Sequence, residues 1–381
     1  MRVLLKRSDV DPNLVDEFGQ APLSLAAKRN YEEIARALLE RSDVDPNPVD
    51  EFGRTPFSLA AGSGSEGIVR MLLERTEVNP NTANEDGRTP LSFAAGSGHE
   101  GVVRLLLERT DVNPNAADRC GRTPLFRATG SGQSGVVRIL LERNNVNPNT
   151  VDEDGRTLLS LAATGGQKEV LRILLGRVNP NIANKDGRTP LSLAVGSGRE
   201  GIVKILLERN DVNPEQADRC GQTPLSWAAR NGHEGIIGTL LERNDINPNT
   251  VDEDGRTPLF LALENRKDEV VRMLLERNDV NPNTVDKDGR TPLFSAVRDG
   301  NEEVVRLLLE RNDINLNIAD HDGQTAVSWA AQNGSDRITK LLRDRADFTP
   351  IYAAGPRPTD PCPPKLSLKS LPKGSSGFNT Q

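Results

Sequence analysis

The chain has 381 residues and a formal net charge of −7 at pH 7; only 35% of its residues are hydrophobic and 3% aromatic. That is poor provision for one large globular core, and the acidic balance argues against nucleic acid, whose phosphates favour a basic surface. No apolar run approaches the ~20 residues of a membrane span.

The opening "MRVLLKRSDV" holds too short an apolar stretch for a secretory signal. Cys120, Cys220 and Cys362 form neither a disulfide framework nor a zinc spacing. These features predict an intracellular protein, cytoplasmic or nuclear. "MRVLLKRSDVDPN" also aligns with "VRMLLERTEVNPN" at 69–81. Residues 1–16 are therefore expected to be the remnant of an incomplete unit, with Met1 inside its second helix. Such a start predicts an artificial beginning or the tail of a larger protein.

From residue 17 a repeat takes over. "GRTPL" or a near copy begins at Gly19, Gly53, Gly87, Gly121, Gly155, Gly187, Gly221, Gly255, Gly289 and Gly323. The spacing is 34 residues at every step but that from Gly155 to Gly187, which is 32 because "LLGRVNPN" lacks two residues of "LLERNDVNPN". Ten registered units over 17–348 predict a solenoid.

The third unit, "EDGRTPLSFAAGSGHEGVVRLLLERTDVNPNAAD" at 85–118, shows the local reasoning. Asp86-Gly87 signals a tight turn. Thr89 suits a helix N-cap and Pro90 the first helical position, where a missing N–H costs nothing. Leu91, Phe93, Ala94 and Ala95 give a short first helix its apolar part, with Phe93 at a core position, and Gly96 and Gly98 end it. A second helix from His99 to about Arg109 carries Val102, Val103, Leu105, Leu106 and Leu107 on one face. Asn113-Pro114-Asn115 then starts an extended link. Neither helix reaches the ~12–15 residues at which an isolated helix is even marginal in water, so stacking must supply the burial.

The pattern D-x-G-x-T-P-L-x-x-A-A, a glycine-rich turn, V-V-x-L-L-L and D-V-N resembles the ankyrin repeat over about residues 1–348. Two features depart from that family. The histidine expected after T-P-L is Ser or Phe in nine units, with Val327-Ser328 in the tenth, and the loop carries an added "NPN". The added element resembles the long arrays of filamentous fungi. The resemblance implies an all-α, ankyrin-type solenoid of stacked helix-turn-helix units with β-hairpin-like loops.

"GSGSEG" at 62–67, "GSGHEG" at 96–101, "GSGQSG" at 130–135 and "GSGREG" at 196–201 spell a dinucleotide fingerprint. That fingerprint must follow a strand in a βαβ unit, and here the glycines follow a helix. Glu66, Glu100 and Glu200 would also repel an anion at the next helix N-terminus. The glycines are read as turns. Cys120 and Cys220, three units apart, should lie roughly 30 Å from each other at ~10 Å per helix layer, too far for a disulfide. His99, His233 and His321 have no partners at metal spacing. The chain is expected to be no enzyme and to need no cofactor or metal.

What remains is surface. Repeat solenoids bind on an extended concave face, of order 100 Å here at ~10 Å per unit, and in the ankyrin family that face comprises hairpin tips and first helices. Just after the hairpin glycine run Arg54, Arg88, Arg122, Arg156, Arg188, Arg256 and Arg290, interrupted by Gln20, Gln222 and Gln324. The stripe is either a ladder for the carboxylates of an acidic peptide or a set of ordinary ion pairs. Neighbouring Asp86, Asp154, Asp186, Asp254 and Asp288 favour the second reading.

Phe18 and Phe52 sit at the first two tips, in "DEFG", as interface anchors or as covers for those hairpins. The first-helix ends carry side chains mainly at the two extremes: Lys28-Arg29, then Arg230-Asn231, Glu264-Asn265-Arg266, Arg298-Asp299 and Gln332-Asn333. Specificity is therefore expected at the ends of the groove, with Arg230 and Arg298 among its residues. Trp227 and Trp329 fall at the position of Phe93 and are read as packing residues; Arg127 and Ser295 fall there too, each just after a Phe, Phe126 and Phe294, as if the bulky side chain had moved one position earlier. Residues 349–381 are Pro, Ser and Gly-rich and read as disordered. The resulting expectation is a monomeric, non-catalytic scaffold for a protein or peptide, with neither nucleic acid nor membrane as partner. The alternative is the C-terminal sensing region of a larger NTPase-type protein, as in fungal proteins with similar arrays.

Overall fold

A computed structural model describes residues 10–333 and 336–347. Most of the 1–16 remnant, all of the 349–381 tail and Cys362 lie outside the described residues. Twenty helices alternate in ten pairs, from Pro22–Lys28 with Glu32–Leu39 to Ala326–Asn333 with Asp336–Asp347. The result is an all-α repeat solenoid. Among the described residues no helix is long and apolar enough to cross a membrane.

The third unit shows why the pairs form. Thr89 has extended backbone angles and its hydroxyl accepts the N–H of Ser92 at 3.3 Å, capping the helix Pro90–Ser97 with Pro90 in its first turn. Gly98 leaves the helix at φ 84, a left-handed angle that glycine adopts without a Cβ penalty. Gly96, expected to end the helix, lies inside its last turn. The second helix, Glu100–Leu107, is shorter than the expected span to Arg109, with His99 just outside it as N-cap. There the His99 Nε2 meets the Gly62 carbonyl of the preceding unit at 2.9 Å.

A single hydrophobic cluster runs from Leu23 to Leu342. Val102, Val103 and Leu106 are fully buried in it, while Arg104 on the other side of the same helix is exposed. First helices pack on one another more closely than second helices do. The stack therefore bends with first helices and hairpins on its concave side. The loops are hairpin-like turns: no strand forms among the described residues, only the isolated antiparallel bridges Val151 to Thr157 and Ala319 to Thr325.

Polar side chains staple the units on the other side. The Asn81 amide donates to the Asp111 carbonyl at 2.6 Å and accepts the Asn113 N–H at 2.8 Å. Asn13, Asn115, Asn249 and Asn283 bridge to the following unit in the same two ways. This ladder is the use of the added "NPN". A second staple is the arginine after each second helix. Arg243 donates to the Leu207 carbonyl at 2.9 Å, at the C-terminus of the preceding second helix, and forks onto Asp245. Arg277 and Arg311 repeat this arrangement.

The two-residue deletion interrupts the ladder. Asn149 makes no bridge to the next unit, and a cavity of about 50 Å³ lies between Pro148, Asn149, Leu158, Val178 and Ile182. Restoring Asn-Asp between Arg177 and Val178 should reinstate the bridge and close the cavity. We expect about 1–2 kcal/mol of added stability and a raised melting temperature; a lowered one would show the joint to be packed as it stands.

Candidate functional site

The concave face is organised by a residue that sequence reasoning passed over. Three positions before each hairpin glycine stands Asp or Asn: Asp50, Asn84, Asp118, Asp152, Asn184, Asp218, Asp252 and Asp286 in units two to nine. The six aspartates among these are half-buried or buried. Asp50 Oδ1 accepts the backbone N–H groups of Phe52 at 3.1 Å and Arg54 at 2.9 Å, closing the turn, and its Oδ2 accepts Arg54 Nε at 2.8 Å. Arg156 on Asp152, Arg256 on Asp252 and Arg290 on Asp286 are held alike, at 2.8, 3.1 and 2.9 Å. Arg256 also reaches Asp254 and Glu264.

The stripe of seven arginines is thus neutralised mainly from below, by the carboxylate four residues earlier. The exposed neighbours Asp86, Asp154, Asp186, Asp254 and Asp288 contribute less than the sequence suggests. The three remaining arginines escape. Arg88 and Arg188 follow Asn84 and Asn184, which close the turn by accepting the Arg88 and Arg188 N–H at 2.8 and 2.9 Å but carry no charge. Arg122 follows Asp118, whose Oδ2 is taken by Arg127 Nε at 2.9 Å. The Nε atoms of Arg88, Arg122 and Arg188 are buried without a hydrogen-bond partner. Their nearest carboxylates are at 3.7 Å (Asp86), 3.9 Å (Asp152) and 3.9 Å (Asp218).

Arg127 and Trp227 show that the Phe93 position is not core in every unit, although Leu59, Leu261 and Ser295 are buried there. Phe93, Arg127, Leu161, Leu193 and Trp227 are half-buried and face the groove. The reason is helical phase: Leu91, Ala94 and Ala95 turn inward in the same helix. Trp227 Nε1 donates to Asp218 Oδ2 at 2.9 Å, occupying the carboxylate that Arg188 would otherwise take. The Arg188 guanidinium instead stacks on the Trp227 ring at 3.6 Å, with Arg230 at 5.7 Å from the same ring. Burial pushes Arg188 below its ordinary pKa; Asp218 and Asp186 oppose this, and Arg230 adds to it.

Phe18 and Phe52 are 48% and 51% exposed, so neither is covered by its neighbour. The Arg54 guanidinium lies over the Phe52 ring at 4.8 Å. Leu14, Val15 and Val49 are also exposed at this end of the array. At the other end Arg298 pairs with Asp299 at 3.1 Å.

The Glu66 carboxylate of the preceding unit lies against Gly101, and that of Glu100 against Gly135. These second-helix N-termini are thus approached by protein carboxylates. Cys120 and Cys220 are free and exposed.

A family model described as "Ankyrin repeats (3 copies)" matches residues 1–84, 76–152, 144–218, 210–284 and 278–351. No curated protein matches the chain.

Burial raises the Asp50 carboxyl, but the Arg54 side chain and the Arg54 and Phe52 N–H groups outweigh it and hold the group below its usual range. Asp118 is held low in the same way, by the Arg122 N–H, Arg127 and the Cys120 N–H against burial. A carboxyl held low in the folded chain contributes stability above its unfolded value of about 4, and the contribution is lost as pH falls through the folded value. Asp50→Asn keeps the turn, as Asn84 and Asn184 do. It should melt below wild type at pH 7 and approach wild type near about pH 2. A gap that persists undiminished in acid would contradict the ionic origin.

Proposed function

The chain belongs to the ankyrin-repeat family, and from that premise we propose that it is a non-catalytic scaffold binding a protein or peptide along its concave groove. Ankyrin repeats are generally protein–protein interaction modules. The observation that carries the reading is the row of half-buried large side chains, Phe93, Arg127, Leu161, Leu193 and Trp227, at one position of successive first helices. Such positions are partly desolvated before a partner arrives, and aromatic and arginine side chains supply most anchors in interfaces.

The second-helix face is a poorer candidate. Many of its charges are paired along the helices, as Arg36 by Glu32, Lys204 by Glu200 and Arg306 by Glu302, or between neighbouring second helices, as Arg138 with Glu169 and Arg272 with Glu303. Exposed pairs of this kind contribute little to stability or recognition. Phe18 and Phe52 extend the groove at one end with apolar tips, and Arg230 and Arg298 bring charge toward the other.

A photo-crosslinking amino acid at Phe93 or Leu161 should trap the partner, while the same residue at Arg104 or Arg138 on the second helices should not. Adducts confined to the second-helix positions would refute the groove. Replacing both tips, Phe18→Ala with Phe52→Ala, should weaken partner binding by about 2 kcal/mol or more. Stability should stay within about 0.5 kcal/mol of wild type, as for other exposed positions. Unchanged affinity would remove the tips from the interface.

A further inference from the structure

We propose that the groove between units four and five holds a site for a single carboxylate, the Glu or Asp side chain of an acidic segment in the partner. The inference rests on the groove reading above and names what the groove selects. A cavity of about 220 Å³ opens there, lined by Arg122, Phe126, Arg127, Ser131, Arg156 and Leu161, with Gly130 leaving its floor free of side chain. Three arginine side chains thus line one opening.

Two of them are already held. Arg127 is bound to Asp118, and Arg156 to Asp152 and, from outside, to Asp154. Arg122 is not: its Nε is buried without an acceptor, and the Asp152 carboxylate 3.9 Å away is engaged by Arg156. A buried N–H of a charged group without a partner costs free energy, and a turn of the Arg122 side chain, which is 30% exposed, brings its fork to an arriving acceptor. A carboxylate binds arginine in a two-point fork and is the natural acceptor.

Charge decides against a dianion. Asp118, Asp152 and Asp154 balance the three arginines, so the site lacks an acceptor rather than negative charge. A phosphate group would face three carboxylates. Phe126 and Leu161 offer an apolar wall for the methylene stem of an acidic side chain.

The site depends on Arg127. In five other units that position is Leu, as at Leu59, Leu161 and Leu261, and where Asp is free it takes its own arginine, as Asp50 takes Arg54. Arg127→Leu should therefore release Asp118 to Arg122 and close the site, although the arginine lost is not the one that reads the ligand. Arg122→Gln removes the reader and introduces a residue native to the same position at Gln20, Gln222 and Gln324.

The test uses the full chain and labelled peptides of alternating Glu-Gly, Gln-Gly and phosphoserine-Gly, titrated by fluorescence anisotropy. The Glu peptide should bind best. Arg122→Gln and Arg127→Leu should each weaken it about tenfold or more, while Arg256→Gln, whose arginine is held by Asp252, should leave it within about twofold. Thermal melts check that each variant is folded. Equal weakening by Arg256→Gln would mean diffuse attraction along the stripe and overturn the site, as would preference for the Gln or phosphoserine peptide. If a partner still crosslinks at Phe93 and Leu161 under those results, only this inference fails; if it does not, the groove reading fails with it.

Discussion

The acidic or amide side chain that opens each hairpin, buried or half-buried in units two to nine, is the interaction on which both the stack and its surface depend. One oxygen closes the turn by accepting two backbone N–H groups, as Asp50 does for Phe52 and Arg54. The turn in turn presents its tip to the next unit: Glu85 N–H donates to Phe52 O at 3.1 Å, and Arg119 N–H to Asp86 O at 2.9 Å. The second oxygen, where there is one, decides the fate of the nearest arginine. A single side chain thus links local geometry, stacking and the charge pattern of the groove.

Around that hinge the rest is additive. No helix pair buries enough surface alone, so the continuous cluster from Leu23 to Leu342 provides what each unit lacks. The asparagine ladder and the arginine staples join the same neighbours by polar means, from the loops and second-helix ends. Because every device reaches only one unit onward, a local change has a local effect. The missing two residues before Val178 leave one cavity and one absent bridge without disturbing the helices on either side.

Much of this was legible in the residues. Threonine caps, Pro90 at the first turn, glycine exits and the apolar face of the second helix all follow from local stereochemistry. The repeat then showed ten times which features matter. The Phe93 position was misjudged because apolarity marks a residue as buried only when its helical phase is known. Arg127 and Trp227 gave the clue, since neither is comfortable in a core. The hairpin aspartates were missed for a different reason: Asp in a turn reads as solvated, and here the hairpin glycine of the preceding unit packs against it, as Gly19 does on Asp50 and Gly121 on Asp152. What distinguishes Arg88, Arg122 and Arg188 from their neighbours was nevertheless written in the sequence, as Asn84, Asn184 and Arg127. The pairing geometry was needed to see that these differences matter.

The sorting of the groove arginines is the central claim, and their side-chain N–H protons report on it directly. Nitrogen-15 NMR of arginine Nε–H groups in the free chain would read the Nε proton shift at each site. Arg54, Arg156, Arg256 and Arg290, hydrogen-bonded to buried carboxylates, should lie downfield, and Arg88, Arg122 and Arg188, without such a bond, upfield of them. Uniform shifts along the stripe would contradict the account, because the hairpin carboxylates would then hold all seven arginines alike or none.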